Sequence, residues 1–353
     1  MKFLFVFTIT MLLSFSGTAK HTISQNRVTD NSVQVAVKPS GIFVGSGPTV
    51  SDDILSLEHV TGNLIRVGWN EVQPSSGEYD FSKLDALIDQ AQRLNKKVTL
   101  SILNGPRAPQ WLYAKGAKAF KYEFKNRHSE RGNRQEVIPL PWDPVYIKYW
   151  QQLIVKLGQK YQANSTISLI HITHSSKNGF EMHLPEERIA GRPETPTNGP
   201  WKDVGYQEAR YINSLKSIVD TYMTAFPNHF LDLEIHPILG SLKPATDVFQ
   251  FAFDKYGSRF GLFSAWWSGK KQRWNTSMYA VLSDACVKSF CSVQIIGNQT
   301  RQPNRLFEGD LIKTMQQAQS LGVNYFEVWD IDLRNDSLRP KLVNFNTRYK
   351  GGN

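Results

Sequence analysis

Short runs of β-branched, apolar and aromatic residues alternate along this chain with longer stretches in which apolar positions recur every three or four residues. The β-rich runs occupy 41–45, 64–70, 98–103, 167–174, 230–237, 262–267, 292–298 and 325–331. Between them, Leu84, Leu87, Ile88, Ala91 and Leu94 mark one face of a helix. The segments 146–161, 206–226 and 310–321 repeat that spacing, the last followed by Gly322 as a helix stop. Eight strands alternating with helices predict an α/β fold, a (β/α)8 TIM barrel in a single domain over 40–350. An open doubly wound sheet would show a glycine-rich phosphate loop after its first strand. Gly45 and Gly47 do not form one, because Pro48 follows at once and no third glycine completes the pattern.

Strand phase separates the side chains that enter the barrel from those that meet the helices. Leu231, Leu233 and Ile235 share the apolar face of the fifth run, which sends Asp232, Glu234 and His236 inward. The same parity turns Arg66, Gly68 and Asn70 inward from the second run, Gln294 from the seventh, and Glu327 and Trp329 from the eighth. Charges inside a barrel must be paired, since isolated burial costs several kcal/mol. A structural ion pair, Arg66 with Glu327 or Glu234, is one reading of this set. Barrel active sites sit at the C-terminal strand ends, and several carboxylates there favour catalysis for the set as a whole.

The segment 66–81 carries Arg66, Trp69, Gln73, Pro74, Gly77, Tyr79, Asp80 and Phe81 in the spacing R-x-x-W-x-x-x-(E/Q)-P-x-x-G-x-Y-D-F. A helix and a third strand follow, then Pro109, Trp111 and Leu112 as P-x-W-L. This resembles the second- and third-strand region of the clan A (β/α)8 glycoside hydrolases, in particular their β-galactosidase-like members. The stretch 141–161 is similar to the helix before their fourth strand. The resemblance implies an O-glycosyl hydrolase with its acid beyond strand four and its nucleophile at the end of strand seven. The usual Asn-Glu pair at the end of strand four is absent. Glu181, in the sequence Gly-Phe-Glu-Met-His-Leu-Pro over 179–185, instead resembles the acid-bearing loop of β-amylases, and it is the first catalytic candidate. A loop carboxylate with a capping role is the plainer reading of it.

The seventh run offers Gln294 and Asn298, and an amide cannot replace a carboxylate nucleophile. The partner of Glu181 is therefore expected in Glu327, then Glu234, with Asp330 third; Glu327 becomes the strand-seven residue if the strand count is one too high. Such chemistry needs one carboxyl protonated to donate to the leaving oxygen and one ionised to attack or to activate water. Arg66 would keep the second ionised. Asn70, His174, His183, His236 and Gln294 are the expected polar contacts to sugar hydroxyls. Trp69, Trp111, Trp266, Trp267 and Trp329 are aromatic platform candidates, with core packing the alternative for each. Carbohydrate is the expected partner, with no cofactor. No metal is expected either, because the eight histidines form no H-x-H or H-E-x-x-H pair.

Composition narrows the classes further. With 353 residues, 41% apolar and 20% charged, the chain can bury a large core and is neither disordered nor collagen-like. The net charge of +10 is dispersed without a Lys/Arg block, so no nucleic-acid partner is expected. Lys2, the apolar run 3–15 and the small residues Gly17 and Ala19 read as a secretory leader over 1–19, with a polar, flexible lead-in over 20–39. The expected mature protein is secreted or periplasmic and not inserted in a membrane. Cys286 and Cys291 fit a short-loop disulfide in that compartment, or a buried pair of thiols. Two rivals to hydrolysis stand: a carbohydrate-binding barrel that lost its strand-seven nucleophile, and an interaction protein built on a barrel scaffold.

Overall fold

The computed structural model describes residues 37–45, 47, 49–124, 134–185 and 199–350; the expected leader and all but the end of the lead-in lie outside them. Eight parallel strands close into a barrel: β1 (Gly41–Val44), β2 (Gly62–Gly68), β3 (Lys97–Leu103), β6 (Ile167–Ile172), β7 (Phe230–Glu234), β8 (Phe260–Trp267), β9 (Cys291–Ile295) and β10 (Tyr325–Val328). Closure runs through β1, which pairs with β10 on one side and β2 on the other. Between β3 and β6 an antiparallel hairpin, β4 (Ala119–Phe124) and β5 (Arg134–Pro139), stands apart from the barrel. All eight expected strands are present in the expected order, so β9 is the seventh barrel strand and β10 the eighth.

The helices form where the apolar spacing placed them. Ser82–Arg93 buries Leu84, Leu87, Ile88 and Ala91. Pro144–Tyr161 starts at an Asp143 cap, whose carboxylate accepts the N–H groups of Val145 and Tyr146, while Pro144 occupies a first-turn position that needs no donor. Glu208–Ala225 and Leu311–Gln319 complete the set read from periodicity. Among the described residues, no helix is long and apolar enough to cross a membrane.

Several strands end earlier than their apolar runs. β2 stops at Gly68, because Glu71 reaches back to accept the Gly68 N–H and starts a one-turn helix, Trp69–Val72. Asn70 therefore sits exposed on that turn and does not point into the barrel as its parity suggested. β10 stops at Val328, with Trp329 capping the short helix Asp330–Leu333.

In β8 the register shifts between Ser264 and Trp267. The irregularity takes Trp267 out of the inward alternation of Phe263 and Ala265. Trp266 and Trp267 both pack on Tyr279 of the helix Thr276–Lys288.

Inside the barrel, Phe43, Leu169, Phe230, Phe290 and Tyr325 form an apolar cluster, and Leu64, Phe180, Phe263 and Ala265 form a second. Cys286 on the helix Thr276–Lys288 and Cys291 at the start of β9 are joined as a disulfide. Chain-entropy arguments give a loop this short about 2 kcal/mol of stabilisation. The Cys286→Ser/Cys291→Ser double variant is expected to lose about that much in urea unfolding, with the far-UV circular dichroism of the folded state unchanged.

Candidate active site

The barrel interior is organised by a histidine. His171 on β6 is buried, and its two ring nitrogens contact two carboxylates: Nδ1 meets Asp232 Oδ1 of β7 at 2.5 Å, and Nε2 meets Glu327 Oε1 of β10 at 2.8 Å. Glu327 also accepts from the Tyr325 hydroxyl at 2.8 Å and from Gln294 Nε2 at 2.7 Å, and Ser292 donates to Asp232. Thr99 on β3 extends the chain to Tyr325. Burial alone would strip the proton from His171, but Asp232 and then Glu327 override it and raise its pKa to about 9. The ring is thus an imidazolium at neutral pH, donating through both nitrogens.

Above this layer lies the loop that follows β6. Its backbone is pressed against the loop after β3: a Cβ on Gly105 would come within 2.1 Å of Ser176 O, and one on Gly179 within 2.3 Å of Asn104 O. Both glycines also have positive φ, +52° and +79°. Asn178 Oδ1 accepts the N–H groups of Phe180 and Glu181 and fixes the turn. Phe180 then points down between Arg66, whose guanidinium lies 5.5 Å from its centroid, and the His171 ring, also at 5.5 Å.

Glu181 points the other way, toward a group from β7 and its following loop. Glu234 is almost fully buried; its Oε2 accepts the Met182 N–H at 2.8 Å and its Oε1 meets His236 Nδ1 at 2.8 Å. His183 Nδ1 lies 3.4 Å from Glu181 Oε2, and the His183 and His236 rings are 5.0 Å apart. Burial and then the charge of Glu234 raise the pKa of Glu181, only partly offset by His236, Asn178 and Arg66. Burial, then His236 and Lys177, hold His183 well below the usual histidine range. Two carboxylates, two histidines and an arginine thus converge at the C-terminal mouth.

A family profile described as Beta-galactosidase (glycoside hydrolase family 42) matches residues 47–188. Beta-galactosidase GalA of Bacillus licheniformis is 22% identical over 183 residues, 51% of this chain and 25% of that protein. Beta-galactosidase GanA of Bacillus subtilis strain 168 is 24% identical over 186 residues, again 51% and 25%. The matched stretch thus spans a quarter of each relative's length. Among solved structures, the catalytic domain of β-amylase from Paenibacillus polymyxa superposes with a TM-score of 0.59 at 12% identity, covering 88% of this chain and all of that one. The exo-β-1,4-mannosidase Op5Man5 from Opitutaceae bacterium strain TAV5 gives 0.53 at 12% identity, over 91% and 62%. The fold is a (β/α)8 barrel like that of these two structures.

Against the clan A pattern, strand seven is the departure. β9 carries Gln294 at its inward position, and that amide is hydrogen-bonded to Glu327. Glu327, first in the expected order as partner of Glu181, is fully buried, with both oxygens engaged by His171, Tyr325 and Gln294. Glu234, second in that order, is the carboxylate whose charge acts most strongly on Glu181. Asp330 is half-buried on the turn after β10. Arg66 donates to Gly45 O at 3.1 Å; the interior ion pairs are made by His171, which the parity argument did not single out.

Several expected sugar contacts are instead structural. His174 is fully buried toward the helices, bonded to the Tyr146 hydroxyl and Ser214 Oγ, and burial lowers its pKa to about 3. Trp69 is buried against Trp150. The indole N–H groups of Trp266 and Trp267 are bound to Ile235 O and Thr314 O. Trp111 is half-buried, donating to Gln73 O and meeting Trp69 and Tyr149 edge-on. Trp329 stays half-exposed at the mouth, its N–H on Ile295 O.

Two outcomes follow from this geometry. His171 holds its proton more tightly folded than unfolded, so its stabilisation is complete below about pH 6.5 and is lost as pH rises through about 9. The free energy of unfolding in urea should fall by about 3 kcal/mol across that window, and His171→Gln should flatten the slope. Gly179→Ala should destabilise by more than about 1 kcal/mol in the same assay, from its positive φ and the clash with Asn104 O.

Proposed function

We propose that this protein is a glycoside hydrolase of the clan A type in which Glu181 is the general acid and Glu234 its carboxylate partner. The observation that carries this reading is the contrast between the two groups. The pKa of Glu181 is raised by burial and by Glu234, which favours a proton on it for delivery to a glycosidic oxygen. Glu234 is oriented by the Met182 N–H and by His236, as a nucleophile or a base for water must be. Arg66 adds positive charge beside the pair. Trp329, half-exposed beside the strand ends, is the favoured platform for a sugar ring. The substrate is a β-linked poly- or oligosaccharide, a class suggested by the β-galactosidase relatives. Export through the leader at 1–19 belongs to the same proposal, and a disulfide in a chain with only two cysteines supports it.

A second reading has its own observation. With Gln294 at the inward position of strand seven, the barrel lacks the clan's usual nucleophile there. That favours a carbohydrate-binding barrel without turnover.

Hydrolysis of a panel of β-linked oligosaccharides and aryl glycosides separates the two. Turnover should fall about 100-fold or more in Glu181→Gln, with sugar binding kept. In the unaltered protein kcat should decline as pH rises through the elevated pKa of Glu181. Binding with no hydrolysis of any substrate would establish the second reading.

A further inference from the structure

The mouth of the barrel holds a group of donors that a pair of catalytic carboxylates does not require. One donor atom each from Glu181, His183 and His236 lie within 4.8 Å of one another. Two imidazoles and one carboxylate are a common ligand set for zinc and related divalent ions, with further positions left to water. His183 Nδ1 is buried and makes no hydrogen bond, while Glu181 Oε2 lies 3.4 Å from it. That separation is too long and misdirected for a good hydrogen bond. It matches the edge of a tetrahedron with metal–ligand bonds of about 2.05 Å, which is about 3.3 Å.

His236 supplies a second sign. Its Nδ1 is turned to Glu234 Oε1 at 2.8 Å, so a ligating role falls to its other ring nitrogen. Metal-binding histidines characteristically give their other ring nitrogen to a carboxylate, which fixes ring orientation and raises the basicity of the ligating atom. Glu234 is itself held from behind by the Met182 N–H, so carboxylate, imidazole and loop form one braced unit. The sequence concealed this set because Glu181 and His183 lie on the loop after β6 and His236 follows β7. No short histidine motif could register it.

We propose that Glu181, His183 and His236 form a binding site for a divalent transition cation of the zinc class, with Glu234 as the carboxylate behind His236. Arg66 and Lys177 add positive charge near Glu181 and His183 and oppose a dication, whereas Glu181 and Glu234 attract it. Where Glu181 serves as the acid, a bound cation takes the oxygen that must carry the proton. Zinc then suppresses turnover, a consequence that rests on the function proposed above; the binding site itself does not.

The test is titration of the metal-stripped full-length protein with Zn2+ by calorimetry, and with Co2+ by visible absorption. One equivalent should bind, and Co2+ should give the intense absorption of a low-coordinate site. His183→Asn and His236→Asn should each weaken Zn2+ binding by at least about tenfold, and Glu234→Gln by about tenfold. Zn2+ should raise the melting temperature of the parent protein but not that of His183→Asn, a comparison that exposes any variant that fails to fold. No stoichiometric binding, or binding indifferent to both histidine substitutions, overturns the site. Hydrolysis without zinc binding would leave the carboxylate pair standing alone, and zinc binding without hydrolysis would leave the cation site standing alone.

Discussion

The polar layer inside the barrel is built around one buried cation. The imidazolium of His171 lies between Asp232 and Glu327, and hydrogen bonds carry its influence to Ser292, Gln294, Tyr325 and Thr99. Five of the eight barrel strands thereby share one polar layer. A carboxylate in this position would be prohibitive alone, and two facing each other worse; the shared proton-bearing ring turns that liability into a cross-brace. Such networks are stable only when every member is satisfied, and here each carboxylate oxygen of Asp232 and Glu327 has a donor.

That layer also sets Glu327 apart from the carboxylates near the mouth. Phe180 packs onto the His171 ring and separates the sealed interior from the mouth. Glu327 is bound within the layer, whereas Glu234, though also buried, lies beside Glu181 and the loop after β6. The amide at strand seven is partly buried and turned to the same layer. Gln294 gives its N–H to Glu327, so the position where clan A enzymes place a nucleophile is occupied here by a brace.

The architecture was legible because parallel barrel strands are short, regular and separated by helices of strong periodicity. Asp232, Glu234 and Glu327 were placed inward by parity alone. The central cation was hidden because β6 reads as an apolar strand, and a single histidine in it gives no sign of its partners. Only the pairing of His171 with Asp232 across β6 and β7 brings them level. Trp267 packs toward the helices because a register shift in β8 breaks the alternation, and Asn70 departs from its parity because Glu71 ends β2 two residues early. Glu181 is singled out by the resemblance of its loop, whereas its approach to His183, Glu234 and His236 depends on the turn that Gly179 and Asn178 make.

The main-chain contact between Gly105 and Gly179 has a consequence for the mouth. The loop after β6 is seated by carbonyls and missing side chains, together with a few small polar anchors, so little of its placement depends on residues 181 and 183 themselves. The contacts that seat the loop are thereby separate from the side chains it presents.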